Sequence, residues 1–178
     1  MSLNRAVLAL GAVAVVGVAT VGASVAFAAN QGKPVPNAAV TVGSTWTQIK
    51  PLCYNAGKAL TTKQQTACAA KVTAVLKAGS AKTITVPSAN SSFSINMDQV
   101  VTDRGWFAQY QGGALVPPTT KAYAGPLSST TVLTSTSSTT GTASVGSSGP
   151  VLIVEGTGTN QNSPVYGEWL FQLKVKGA

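Results

Sequence analysis

"KTITVPSANSSFSINM", residues 82–97, is the stretch that decides the fold. Ile84 and Val86, then Phe93, Ile95 and Met97, recur at every second position with Thr, Ser or Asn between them. A period of 2 puts the apolar residues on one face of an extended chain and the polar ones on the other. The segment "PSANS" (87–91) supplies a turn between the two strands.

Downstream the same character continues. "GWFAQY" (105–110), "KAYAG" (121–125), "TVLTS" (131–135), "VLIVEG" (151–156) and "YGEWLFQLKV" (166–175) are β-branched and aromatic, several of them separated by Gly or Pro clusters. In the last, Trp169, Phe171 and Val175 share a side while Leu170 breaks the alternation, which predicts a strand covered on both faces. "AAVTVGSTWTQI", with Val40, Val42 and Trp46, reads as a first strand. Seven or eight short strands at this spacing argue for an antiparallel sandwich or barrel. The expected fold is mostly β, an immunoglobulin-like antiparallel β-sandwich with one short helix clipped by a disulfide.

That helix lies just upstream, in "TTKQQTACAAKVTAVLKAG" (61–79). Thr61 or Thr62 can cap it, Gln64 or Gln65 stands three residues on as a capping box requires, and Gly79 can end it. Cys68, Val72, Val75 and Leu76 fall on one face at helical spacing, so Cys68 is expected to point inward.

The start of the chain sets the compartment in which the cysteines are read. After Arg5, residues 6–29 carry no charge and are rich in Ala, Val and Gly, and Ala26-Phe27-Ala28 offers the small residues of a signal-peptidase site. The expected organisation is a secretory signal over 1–28, cut after Ala28, a flexible lead-in over 29–37, and one β-rich domain over 38–178. The competing reading is an uncleaved anchor, because the uncharged run exceeds the roughly 18 residues that can span a bilayer. Fifteen of the twenty-two residues from Ser128 to Gly149 are Ser or Thr. So little apolar surface predicts a Ser/Thr-rich loop there, or an O-glycosylated stretch.

In an exported chain, Cys53 before the helix and Cys68 on its inner face read as one structural disulfide. A zinc site needs about four ligands, and the chain has no His. A nucleophilic thiol normally needs a basic partner. No metal site and no cofactor are therefore expected.

The same inventory restricts catalysis. Without His, Ser-His-Asp and Cys-His mechanisms are excluded. Asp98 with Asp103, or Glu155 with Glu168, could pair as a glycosidase dyad. Their spacing does not require it, and turn hydrogen bonds, with Asp103 paired to Arg104 or a lysine, account for the aspartates. No catalytic residue is assigned and no enzyme is expected.

Beyond Arg5 the chain carries eleven Lys and Arg against four acids, spread singly from Lys33 to Lys176. Dispersed lysines make a solubilising, anion-attracting surface rather than a nucleic-acid groove, which concentrates charge and favours Arg. The expected partner is an extracellular protein or an anionic cell-wall polymer. Trp46, Tyr54, Trp106, Phe107 and Tyr110 could stack on sugars or anchor an interface, but they form no regular stripe. Trp106 and Phe107, being adjacent, should face opposite sides of a strand.

The motifs "CYNAGKALTTKQQTAC", "KTITVPSANSSFSINMDQVVTDRGW", "LIVEG" and "YGEWLFQLK", in this order from about Val40 to Lys174, resemble a family of small exported or lipid-anchored actinobacterial proteins classed as a domain of unknown function. The chain departs from lipid-anchored members in having no anchoring cysteine directly after its apolar run, and in its Ser/Thr insert. The resemblance implies export and brings no catalytic residues or ligand. The expectation is a non-enzymatic, secreted or envelope-associated binding or structural protein. The alternative is a protease inhibitor acting through an exposed loop at "QGGALVPPTTK" (111–121).

Overall fold

The computed structural model describes residues 35–111, 113–136, 142–156, 158 and 163–178. The expected signal over 1–28, its cleavage site at Ala28 and positions 29–34 of the lead-in lie outside the described residues.

The described chain is mostly β. One sheet, here sheet 1, has the strand order β2-β1-β5-β8. Its strands are β1 (Ala38–Val42), β2 (Thr45–Ile49), β5 (Ser92–Met97) and β8 (Tyr123–Ser128), all antiparallel. Residues 38–49, expected as a single strand, form the β1–β2 hairpin. Val42 faces Thr45 across the two-residue loop Gly43-Ser44. Gly43 takes φ +57°, as the first residue of a two-residue hairpin turn with Gly leading demands.

Sheet 2 runs β7-β6-β11-β12, with β3 and β4 both paired to β12. Its strands are β3 (Cys53–Tyr54), β4 (Lys82–Val86), β6 (Trp106–Tyr110), β7 (Gly113–Thr119), β11 (Ser148–Glu155) and β12 (Gly167–Val175). The pairing of β4 with β12 is parallel, a departure from the wholly antiparallel expectation. Between β3 and β4 the chain passes through helix α1 (Thr62–Lys77), which lets it re-enter beside β12 in the other direction.

Alternation sorts the side chains. Ala38, Val40, Phe93, Ile95 and Met97 from sheet 1 join Ile84, Val86, Trp106, Ala108, Val151, Ile153, Trp169, Phe171 and Leu173 from sheet 2 in one buried cluster. Phe93 and Phe171 meet across it edge to face, with ring centroids 6.4 Å apart. On the other face of sheet 2, Phe107, Val154 and Leu170 are buried as well. Both Trp106 and Phe107 are therefore inside, because β6 is an inner strand covered on both sides. Leu170 is covered as its break in alternation predicts.

Helix α1 lies on that second face. Thr61 caps it, with Gln64 completing the capping box, and Gly79 follows its end at φ +60°. Cys68 is buried and bonded to Cys53 across a Cα–Cα distance of 6.0 Å. Lys71 Nζ donates to Leu52 O at 2.8 Å, a second tie between helix and lead-in. Val72 and Val75 are half-buried, whereas Leu76, expected on the inward face, is 39% exposed. Among the described residues no helix is long and apolar enough to cross a membrane.

Two further segments depart from expectation. "TVLTS" (131–135), read as a strand, instead ends the short helix α3 (Ser129–Leu133) and begins β9 (Thr134–Thr136), which pairs with β10 (Ala143–Val145). Val132 and Leu133 are adjacent and both buried, which a helical turn allows and a one-sided strand does not. The Ser/Thr-rich region thus carries regular structure over its described residues. Residues 113–119, read as an exposed loop, are edge strand β7 on β6. Pro117 and Pro118 sit at a register shift opposite Phe107, where an edge strand bulges and its ladder hydrogen bonds are interrupted.

Candidate functional site

The four carboxylates do not converge. Asp98 and Asp103 flank α2 (Gln99–Thr102). Asp98 Oδ2 accepts the Asn37 N–H at 2.7 Å, and Asp103 Oδ1 accepts from Gln99 Nε2 at 2.9 Å. Arg104, expected beside Asp103, pairs instead with Glu155, its Nη1 lying 2.7 Å from Oε1. Glu155 and Glu168 sit on neighbouring strands, but Glu155 is opposite Gly167 and Glu168 is opposite Val154. Successive residues point to opposite faces, so the two glutamates lie on opposite sides of sheet 2 and cannot flank one bond.

Each glutamate has a structural setting. Glu155 is fully buried, its Oε2 has no hydrogen-bond partner among the described residues, and burial pushes its carboxyl above the usual range against the opposing pull of Arg104. Arg104 closes the end of the sheet, its guanidinium 5.0 Å from the centre of the Tyr166 ring. Glu168 lies opposite Cys53, with Oε2 3.2 Å from Cys68 Sγ. A disulfide sulfur carries no proton, so this is a packing contact and not a thiol hydrogen bond. Burial beneath the helix raises the Glu168 carboxyl. Among the described residues no three metal-ligating side chains gather.

The tryptophans divide differently from the acids. Trp106 and Trp169 are fully buried, and their indole N–H groups donate to Lys121 O at 2.8 Å and Pro36 O at 3.2 Å. Trp46 is 63% exposed, and its N–H has no protein partner among the described residues. Its register places it: Trp46 lies opposite Thr41 and Thr41 opposite Ser94, on the face of sheet 1 turned away from Val40 and Ile95. One row along, Gln48, Ala39, Asn96 and Tyr123 line up on that same face. Tyr123 is 52% exposed.

Gly125 adapts this surface. A Cβ there would come within 2.6 Å of Ser94 Cβ and 2.8 Å of Tyr123 Oη. The phenol end of Tyr123 therefore lies in the space a side chain would take, close against the sheet, and presents ring surface to solvent. The result is a platform of two exposed aromatics at opposite edges of a four-stranded sheet, with Ala39, Thr41, Ser94 and Asn96 between them, Gln48 beside Trp46, and no charged side chain among these residues.

No protein-family model, no curated protein and no solved structure matches the chain. The geometry is thus the main guide to function. A hollow of about 740 Å³ by Tyr110, Ser128, Thr130 and Thr134 is lined, among the described residues, by one half-buried ring, hydroxyls and the Gln111 amide, with no ionisable group beyond that tyrosine. It offers a ligand less aromatic surface than the sheet 1 face. Trp46 and Tyr123 share a face through strand order, which their positions in the sequence do not display, and Tyr123 carried no signal that sequence reasoning could single out.

Proposed function

We propose that this chain is a non-enzymatic exported protein of the cell envelope or extracellular space that binds its partner through the outer face of sheet 1. The observation that carries the reading is the pairing of two solvent-exposed aromatics, Trp46 and Tyr123, on one sheet face that no other described element covers. Large exposed aromatics grouped on one surface are uncommon on a chain that works alone and mark recognition sites. The Cys53–Cys68 disulfide fits an oxidising compartment, in keeping with the signal-like start and the resemblance to exported actinobacterial proteins. The shared cluster between the sheets supports a β-sandwich of immunoglobulin-like plan as the scaffold. No observation favours the inhibitor alternative, since residues 113–119 are a paired strand and not a free loop.

The test is the distribution of tagged protein between culture supernatant and envelope after crosslinking. Wild type is expected in a crosslinked envelope species that Trp46→Ala and Tyr123→Ala each deplete on the order of tenfold. Equal crosslinking of all three would contradict the reading.

A further inference from the structure

The chemistry of the sheet 1 face specifies its partner, and this step rests on the binding reading above. We infer that the outer face of sheet 1 is a glycan-binding platform whose ligand is the sugar backbone of the exporting cell's own wall, with Trp46 and Tyr123 as stacking residues. Three observations converge on it.

The first is the composition of the face. A sugar ring offers a C–H surface with partial positive charge on its faces and hydroxyls round its rim. Aromatic faces carry the complementary negative quadrupole, and neutral hydroxyl and amide side chains exchange hydrogen bonds with hydroxyls without a charge to desolvate. Trp46 and Tyr123 supply the rings; Thr41, Gln48, Ser94 and Asn96 supply the neutral polar groups. A docking surface for a folded protein would instead present an apolar centre with a polar rim. Here the centre is Thr41, Ser94 and Asn96 with only the small Ala39 among them, and the aromatics stand at the edges.

The second is distance. Trp46 is on β2 and Tyr123 on β8, the two edge strands of sheet 1. Three strand spacings of about 4.8 Å separate them by roughly 14 Å, too far for one monosaccharide to touch both. The platform therefore fits a chain of several sugar rings lying across the strands.

The third is charge. Exposed Lys50 directly follows β2, and exposed Lys121 stands two residues before Tyr123. Both cations thus stand at the end of the face nearer Tyr123, level with Asp98 and four residues along β2 from Trp46, while the platform itself is neutral. Asp98, just beyond β5, has its Oδ2 engaged by the Asn37 N–H. A neutral glycan backbone bearing acidic substituents suits a neutral platform with lysines at one end, and on the envelope reading the wall is where the chain would meet such a polymer.

The experiment is co-sedimentation of the full chain with insoluble wall glycan stripped of its attached anionic polymers, beside unstripped wall. Wild type, Trp46→Ala, Trp46→Phe, Tyr123→Ala and a distant surface control, Val145→Ser, are compared, with melting temperature as the check on folding. Binding to stripped glycan is expected. It should fall on the order of tenfold in each alanine variant, recover in part with Trp46→Phe and remain unchanged in Val145→Ser. Soluble glycan fragments should compete only once they are long enough to bridge both rings.

Failure of wild type to bind stripped glycan would overturn the inference. If a protein companion were then captured in a Trp46-dependent way, the binding-face reading would stand with a different ligand. If retention required only the anionic polymers, vanished in salt and ignored both aromatic variants, the glycan assignment and the binding face would fall together.

Discussion

The two outer faces of the two sheets are built from the same ladder geometry and meet opposite fates. On sheet 2 the outward positions include the buried Phe107, Val154 and Leu170 and the half-buried Glu168, and a disulfide-clipped helix lies on that side. On sheet 1 they include Trp46, Gln48, Ala39, Thr41, Ser94, Asn96 and Tyr123, and no described element covers Trp46 or Tyr123. The first face is apolar because it must exclude water to hold the helix. The second is polar between two large rings, a combination that contributes little to folding and is suited to a ligand. The difference separates stabilising surface from working surface, and substitutions on the two faces should therefore have effects of different kinds.

Breaking the clip should have the largest effect. Replacing Cys53 and Cys68 by Ser removes a cross-link between residues fifteen apart and should lower stability by about 3 kcal/mol in chemical denaturation. Amide exchange should rise first in α1, while binding through sheet 1 persists. Next, Leu170→Ala on the covered face should cost about 2 kcal/mol, near the lower end for buried leucines, because grooves beside it allow relaxation. The same measurement on Trp46→Ala, a larger truncation on the open face, should move stability by no more than about 0.5 kcal/mol. Equal costs at Leu170 and Trp46 would erase the distinction between the faces.

A subtler effect concerns pH. Burial raises the carboxyls of Glu155 and Glu168, so between the ordinary range and the raised values the folded chain holds protons that the unfolded chain has released. Stability from these groups is complete below the ordinary carboxylate range and is lost as pH rises through the raised values. Glu168→Gln should flatten this dependence without removing it, since Glu155 remains. An unchanged pH profile would show that the carboxyl under the helix is not desolvated.

Much of this was legible in the sequence wherever a local pattern carries the information. The period of 2 at Ile84, Val86, Phe93, Ile95 and Met97 specifies an inward face without knowledge of the partner strand. Thr61 and Gln64 satisfy helix-end donors with groups three residues apart, and the capping box follows. Leu170 betrays a strand covered on both sides. Three features resisted because a competing local signal was stronger. Pro117 and Pro118 read as loop punctuation although an edge strand tolerates them. Val132 and Leu133 read as β-forming, yet burying two neighbours toward one side needs a helical turn. Gly43-Ser44 hides a hairpin inside an unbroken run of strand-forming residues. The binding face was beyond reach for another reason. Trp46 and Tyr123 share it only because β1 and β5 lie between β2 and β8, and strand order is set by long-range packing.

The molecule carries its own reporter for the central claim. Of its three tryptophans, Trp106 and Trp169 are fully buried and Trp46 alone stands in water, so collisional quenching by acrylamide reads Trp46 almost exclusively. Quenching of the full chain should be measured with and without envelope fragments. If the sheet 1 face is the binding surface, the fragments will shield the accessible fluorophore and shift its emission to shorter wavelength. Undiminished quenching while the protein is demonstrably bound would place the contact elsewhere and contradict the account.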